Sequence, residues 1–256
     1  MTNSRVLALL LAATALTACG TNAVQDINGP LASSRVRFFN FGVNAPGMNF
    51  YANETKMTAI SSTTGVESTT GVVSGGVGSA GFYSAIAPGS YTLQGKIAAT
   101  TDKDLTISKV TSSIEQGKYY TFYVSGIYDA TAKTVEGFVV EDPLPAAIDF
   151  TTAYVRFVNA ISNSSAMTLY AKNTTTGVEV ALGGGVAYKG AGVFTALAGG
   201  FYDLGTRVAG SSTNAVSRAG VQFAAGKVYT IGARGDITVT STTAATRPQL
   251  DNTANR

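Results

Sequence analysis

The chain has 256 residues, with 18 Lys plus Arg against 15 Asp plus Glu, one cysteine and no histidine. A net charge of +3 spread along the chain is not the clustered basic surface that a nucleic-acid partner requires, and one thiol cannot form an internal disulfide. Without histidine there is no Ser-His-Asp or Cys-His nucleophile and no histidine metal site.

Taken in chain order, Met1 to Arg5 carries one positive charge, and Val6 to Leu16 (VLALLLAATAL) follows without any. That run is roughly half of what a membrane-crossing helix needs, so residues 1–18 are expected to be a cleaved signal peptide. Leu16-Thr17-Ala18-Cys19 resembles a bacterial lipobox. The resemblance implies cleavage before Cys19 and lipidation of its sulfur, with the acyl chains anchoring the protein to a membrane. Each buried acyl CH2 contributes about 0.8 kcal/mol, and more than one chain gives stable anchoring. Gly20, rather than Asp, follows the cysteine, which by resemblance to Gram-negative lipoproteins implies the outer membrane, facing the periplasm or the exterior. Residues 19–33 are expected to be a lipidated tether. In an envelope compartment that permits disulfides, the fold must then rely on its core.

The remaining chain is written twice. Val36-Arg37-Phe38-Phe39-Asn40 recurs as Val155-Arg156-Phe157-Val158-Asn159, and Met48-Asn49-Phe50-Tyr51-Ala52 as Met167-Thr168-Leu169-Tyr170-Ala171. Ala85 to Tyr91 matches Ala196 to Tyr202, and Gly117-Lys118-Tyr119-Tyr120-Thr121 matches Gly226-Lys227-Val228-Tyr229-Thr230. Blocks in conserved order predict a duplicated domain. The expected divisions are a first repeat at 34–143, a linker at 144–152, a second repeat at 153–243 and a polar C-terminal tail at 244–256. Glu141-Asp142-Pro143-Leu144-Pro145 reads as stiff linker, because proline fixes φ and donates no hydrogen bond.

Within each copy the apolar period is two. Tyr120, Phe122 and Val124 pair with Tyr229, Ile231 and Ala233, so these residues mark the core face. Glycine- and proline-bearing turns punctuate runs of five to nine residues, giving about seven strands per copy. The fold class is all-β: two tandem immunoglobulin-like antiparallel β-sandwich domains after the signal peptide. Gly117 stands three residues before Tyr120, as Gly226 does before Tyr229, which resembles the tyrosine corner of such sandwiches, whose hydroxyl bonds an upstream backbone group. The Val-Arg-x-x-Asn block, the alternating segment ending in Tyr, the Pro-Gly-x-Tyr turn and the Gly-Lys-x-Tyr-Thr strand together resemble domain-of-unknown-function family 4397. Asn40 and Asn159 stand where members often carry His. The resemblance implies an extracytoplasmic β domain in a secreted or lipid-anchored bacterial protein, and it brings no catalytic residues.

Few residues in the chain could carry chemistry. There is no Ser-x-x-Lys and no Gly-x-Ser-x-Gly. Asp102, Asp104, Glu141 and Asp142 lie in polar turn or linker stretches and read as solvated charges. Gly76-Val77-Gly78-Ser79-Ala80-Gly81 fits G-x-G-x-x-G, but that fingerprint needs a following helix, and a short strand is expected instead. No catalytic residue, metal or cofactor is assigned. Tyr119 and Tyr123 are expected on the non-core face of one strand, about 7 Å apart. There they would either stack on sugar rings or pack under a loop or the second domain, where Val228 and Gly232 leave room. The expected function is a non-catalytic envelope lipoprotein presenting a structural or protein-interaction surface. The alternative is a polysaccharide-binding, adhesin-like module using these tyrosines.

Overall fold

The computed structural model describes residues 34–58 and 69–255, so the expected signal peptide, Cys19 and the tether lie outside the described residues. Alternation sets the strands. In the first half these are β1 (Ser34–Asn40), β2 (Met48–Ala52), β3 (Thr55–Lys56), β4 (Gly76–Val77), β5 (Ser84–Ile86), β6 (Gly89–Ile97), β7 (Thr106–Ile114), β8 (Tyr119–Asp129) and β9 (Thr134–Glu141). The second half forms β10 (Thr152–Asn159), β11 (Met167–Asn173), β12 (Glu179–Ala181), β13 (Thr195–Ala198), β14 (Gly200–Val208), β15 (Val216–Phe223), β16 (Val228–Arg234) and β17 (Gln249–Ala254).

The first half folds into an outer sheet ordered β3-β2-β6-β7 and an inner sheet ordered β4-β1-β8-β9, with β5 also on β1. The second half has an inner sheet ordered β13-β10-β16-β17 and an outer sheet ordered β12-β11-β14-β15. Each half is thus an all-β sandwich, and both build their sheets in the same order. The expected antiparallel pairing holds except at one ladder in each half, β1 with β8 and β10 with β16, which is parallel. The chain crosses to the outer sheet and back between the two strands, so they arrive side by side in the same direction. The count of about seven strands rises to nine and eight because short edge strands join the ladders.

The expected core face is the observed one. Tyr120, Phe122 and Val124 pack with Val36, Phe38, Phe50 and Leu93 between the first pair of sheets. Ile231 and Ala233 pack with Val155, Phe157, Leu169 and Leu204 between the second pair, with Tyr229 against them. The Phe38 ring lies 5.1 Å from Phe50 and 6.4 Å from Phe122. Such pairs add about 0.5–1.5 kcal/mol beyond burial. Gly117 and Gly226 take φ of +77° and +75° at the turns into β8 and β16, a region that disfavours any side chain with a Cβ. Beyond each turn the tyrosine hydroxyl is bonded as expected: Tyr120 accepts from the Glu115 N–H at 3.2 Å and Tyr229 from the Ala224 N–H at 3.0 Å.

One further expectation needs revision. The stretch 244–256 is not only a tail: β17 lies within it and pairs with β16 from Tyr229↔Ala254 to Arg234↔Gln249. Its sequence, QLDNTA, lacks apolar alternation because only Leu250 reaches the core, and backbone pairing holds the rest. The glycine fingerprint, by contrast, is followed by a short strand as expected: one 3-10 turn, Gly78–Gly81, leads into β5.

Candidate functional site

The two inner sheets also bury their second faces, against each other. Phe39, Phe41, Tyr123, Phe138 and Val140 of the first half pack with Val158 and Ala160 of the second. The Tyr123 ring stacks between Phe39 at 5.0 Å and Phe138 at 5.1 Å. A Cβ on Gly232 would come within 2.9 Å of the Phe41 ring, so the absence of a side chain there admits the aromatic cluster.

Beside these rings lies a closed polar cluster built from equivalent positions of the two halves. Arg37 on β1 and Arg156 on β10 occupy the same place in the two Val-Arg-Phe blocks, and each is 0% exposed. Their Nε atoms donate to neighbouring threonines, Arg37 to Thr121 Oγ1 at 2.9 Å and Arg156 to Thr230 Oγ1 at 3.1 Å. Each guanidinium then reaches into the other half: Nη1 of Arg37 donates to Ala254 O at 3.4 Å, and Nη1 of Arg156 donates to Glu141 O at 2.9 Å.

Glu141 ends β9 and Ala254 ends β17, so the next residues, Asp142 and Asn255, correspond too. Their amides donate to Tyr119 O and Val228 O, both at 2.7 Å. Asp142 Oδ2 accepts from Thr121 Oγ1 at 2.5 Å, and Asn255 Oδ1 accepts from Thr230 Oγ1 at 2.8 Å. Asp142 Oδ1 accepts from Arg156 Nη2, and its Oδ2 lies 3.8 Å from Arg37 Nε. Tyr83 bridges the pair, donating to Asp142 Oδ2 at 2.5 Å and accepting from Asn255 Nδ2 at 3.1 Å. Burial, with the Asp142 charge behind it, pushes the Tyr83 phenol well above its ordinary value. The Arg37 guanidinium also lies over the Tyr83 ring at 4.6 Å, and that of Arg156 over Phe194 at 4.8 Å. Ser125, Glu136, Tyr188 and Lys189 extend the joint: the Tyr188 hydroxyl is 2.9 Å from Ser125 Oγ and donates to Glu136 at 3.1 Å, and Lys189 pairs with Glu136 at 2.7 Å.

Asp142, read as a solvated linker charge, is 1% exposed and is the carboxylate of this cluster. Proline neighbours marked the stretch as linker, but two buried guanidiniums hold its first residues in the interface. Glu141 is exposed and pairs with Lys118 at 3.1 Å. Asp102 is exposed and pairs with Lys133 at 2.7 Å, and Asp104 is exposed in a turn. Tyr119 and Tyr123 do not make a platform. They are four residues apart on β8, hence about 13 Å along the strand. Tyr123 is 1% exposed in the ring stack, and Tyr119 is half-buried edge-on to Tyr83 at 5.1 Å. The packing alternative, against the second half with Gly232 leaving room, is the one observed. Asn40 and Asn159 are buried loop braces, accepting from the Gly42 and Ile161 N–H groups and donating to Val72 O and Val186 O.

Arg37, Arg156, Tyr83 and Asn255 went unnoticed in the sequence. The signal for the arginines was there: a guanidinium at the same position of two apolar strands, each facing a threonine of the matching Gly-Lys-x-Tyr-Thr block. Elsewhere, an apolar groove of about 410 Å³ opens between the free edges of β12 and β13, lined by Val178, Val180, Leu182, Leu197 and Tyr202. Among the described residues there is no group of three or more His, Cys, Asp or Glu placed to hold a metal. No protein-family model matches the chain, and no curated protein matches it. The family resemblance therefore rests on the quoted motifs.

Proposed function

We propose that this is a non-catalytic, lipid-anchored cell-envelope protein that presents a duplicated β-sandwich unit as a rigid structural or protein-interaction surface. The observation that carries the reading is the reciprocal joint. Each half inserts an arginine into the strand end of the other, an arrangement suited to holding two sandwiches in fixed orientation rather than to turning over a substrate. The equal sheet orders and the paired sequence blocks support descent of the halves from one domain. The lipobox-like Leu16-Thr17-Ala18-Cys19 and Gly20 support an outer-membrane anchor, and the resemblance to family 4397 supports an extracytoplasmic setting. Burial of Tyr123 removes half of the platform on which polysaccharide binding rested. The apolar groove beside β12 and β13 favours a protein partner for the exposed surface, since free strand edges and apolar clefts are recurrent docking features.

The test is acyl labelling with membrane fractionation of the wild type and Cys19→Ala. The wild type should incorporate a labelled fatty acid and sediment with outer membranes, and the variant should do neither. A variant that remains membrane-bound would overturn the anchor.

A further inference from the structure

We infer that the joint between the halves contains a binding site for a small monovalent anion, a halide or a one- or two-carbon carboxylate, on the Nη1–Nη2 edge of Arg37. The cluster holds two guanidiniums and one carboxylate, each 1% exposed or less. Arginine does not lose its proton in a protein, so among the described residues the cluster carries one uncompensated positive charge. A buried charge without a partner is strongly disfavoured.

The correspondence between the halves locates the deficit. Arg156 places Nη1 on Glu141 O at 2.9 Å and Nη2 on the Asp142 carboxylate. Arg37 places Nη1 on Ala254 O at a long 3.4 Å, and its buried Nη2 has no hydrogen-bond partner among the described residues. Where the Asp142 carboxylate serves Arg156, the matching position beside Arg37 holds the neutral amide of Asn255. That amide is committed elsewhere, its oxygen to Thr230 and its nitrogen to Tyr83. Among the described residues Asp142 is the carboxylate paired with Arg37, at 3.8 Å from Nε. The Phe39 and Tyr83 rings, 5.4 and 4.6 Å from the Arg37 Cζ, offset part of a cation's burial but accept no N–H bond in its plane. The open edge is therefore a planar two-donor fork, the geometry that guanidinium offers to a carboxylate or halide. Arg37 is 0% exposed, so an ion on this edge must be small and must shed its hydration shell.

The experiment is thermal unfolding of the full chain at constant ionic strength, with sodium gluconate replaced stepwise by chloride in one series and by formate in another. By mass action an anion bound only to the folded state lowers the unfolding constant about tenfold for each tenfold excess over its Kd, a rise in midpoint of about 3–6 °C for a chain of this size. The wild type should show that saturable rise with at least one of the two ions. A response to chloride alone identifies a halide site, and a response to formate alone a carboxylate site. Asn255→Asp, which supplies its own carboxylate, and Arg37→Met, which removes the charge, should both lose the response. Equal midpoints for the wild type in all three salts, or a response unchanged in Asn255→Asp, would overturn the site.

Discussion

Replacing Asp142 by Asn keeps the size and shape of the side chain while removing the carboxylate charge that Arg37 and Arg156 share. Its carboxylate is in contact with Arg156 and 3.8 Å from Arg37 Nε, and it accepts from Thr121 and Tyr83. At an effective dielectric constant near 20, unit charges about 4 Å apart attract by about 4 kcal/mol. The variant loses that attraction for both guanidiniums, offset by the desolvation its own neutral side chain no longer suffers. Stranding one partner of a buried pair costs about 3–5 kcal/mol, a large share of the roughly 5–15 kcal/mol by which domains are stable. Urea unfolding of the full chain followed by circular dichroism should show the midpoint falling by about 1–2 M with the slope unchanged. The triple variant Arg37→Met/Asp142→Leu/Arg156→Met should recover most of the loss, because well-packed apolar replacements of buried ion clusters are often neutral. A surface aspartate is worth no more than about 0.5 kcal/mol. A fall in midpoint of that size for Asp142→Asn would refute the buried-cluster reasoning and restore the linker reading.

Other outcomes follow from the same geometry. Tyr120→Phe and Tyr229→Phe each remove one hydroxyl that accepts a backbone N–H and should each cost about 1 kcal/mol in urea unfolding; unchanged midpoints would remove the corner. A chain ending at residue 243 lacks β17, and with it the edge of the second inner sheet and the Ala254 acceptor of Arg37. It should be protease-sensitive throughout the second half, whereas a dispensable tail would leave the protection pattern intact. Burial pushes the phenols of Tyr123 and Tyr188 up to about 12, against about 10 in an unfolded chain. The raised folded-state values mean that this contribution is complete below about pH 10 and is lost as pH rises toward about 12. Spectrophotometric titration should show late-titrating tyrosines, and Tyr123→Phe should remove part of that late step.

The core face of each sandwich was legible because two matching sequence blocks could be compared: Tyr120, Phe122 and Val124 against Tyr229, Ile231 and Ala233. The opposite face was not, because alternation assigns one face to water and cannot tell when a second sheet covers it. Val228 is fully buried and Gly232 meets Phe41, so variation between copies at 119/228 and 123/232 records complementary packing, not exposure. The polar cluster was hidden for a related reason. Arg37 and Arg156 looked like the polar members of alternating strands, and Asp142 like part of a proline-stiffened linker. Only the pairing of β9 with β8, and the packing of the two inner sheets on each other, brings the three charges together. Strand β17 itself escaped notice because its order comes from a backbone ladder and one core leucine, neither of which leaves a periodic pattern.

A rigid pair of sandwiches sharing one buried joint is tested most directly by scanning calorimetry of the intact chain. A joint of this kind couples the halves, so one transition is expected, with a calorimetric enthalpy equal to its van't Hoff enthalpy. Two resolved transitions, with the first leaving one sandwich folded, would show that the halves are independent beads and that the Arg37–Asp142–Arg156 cluster does not hold them together.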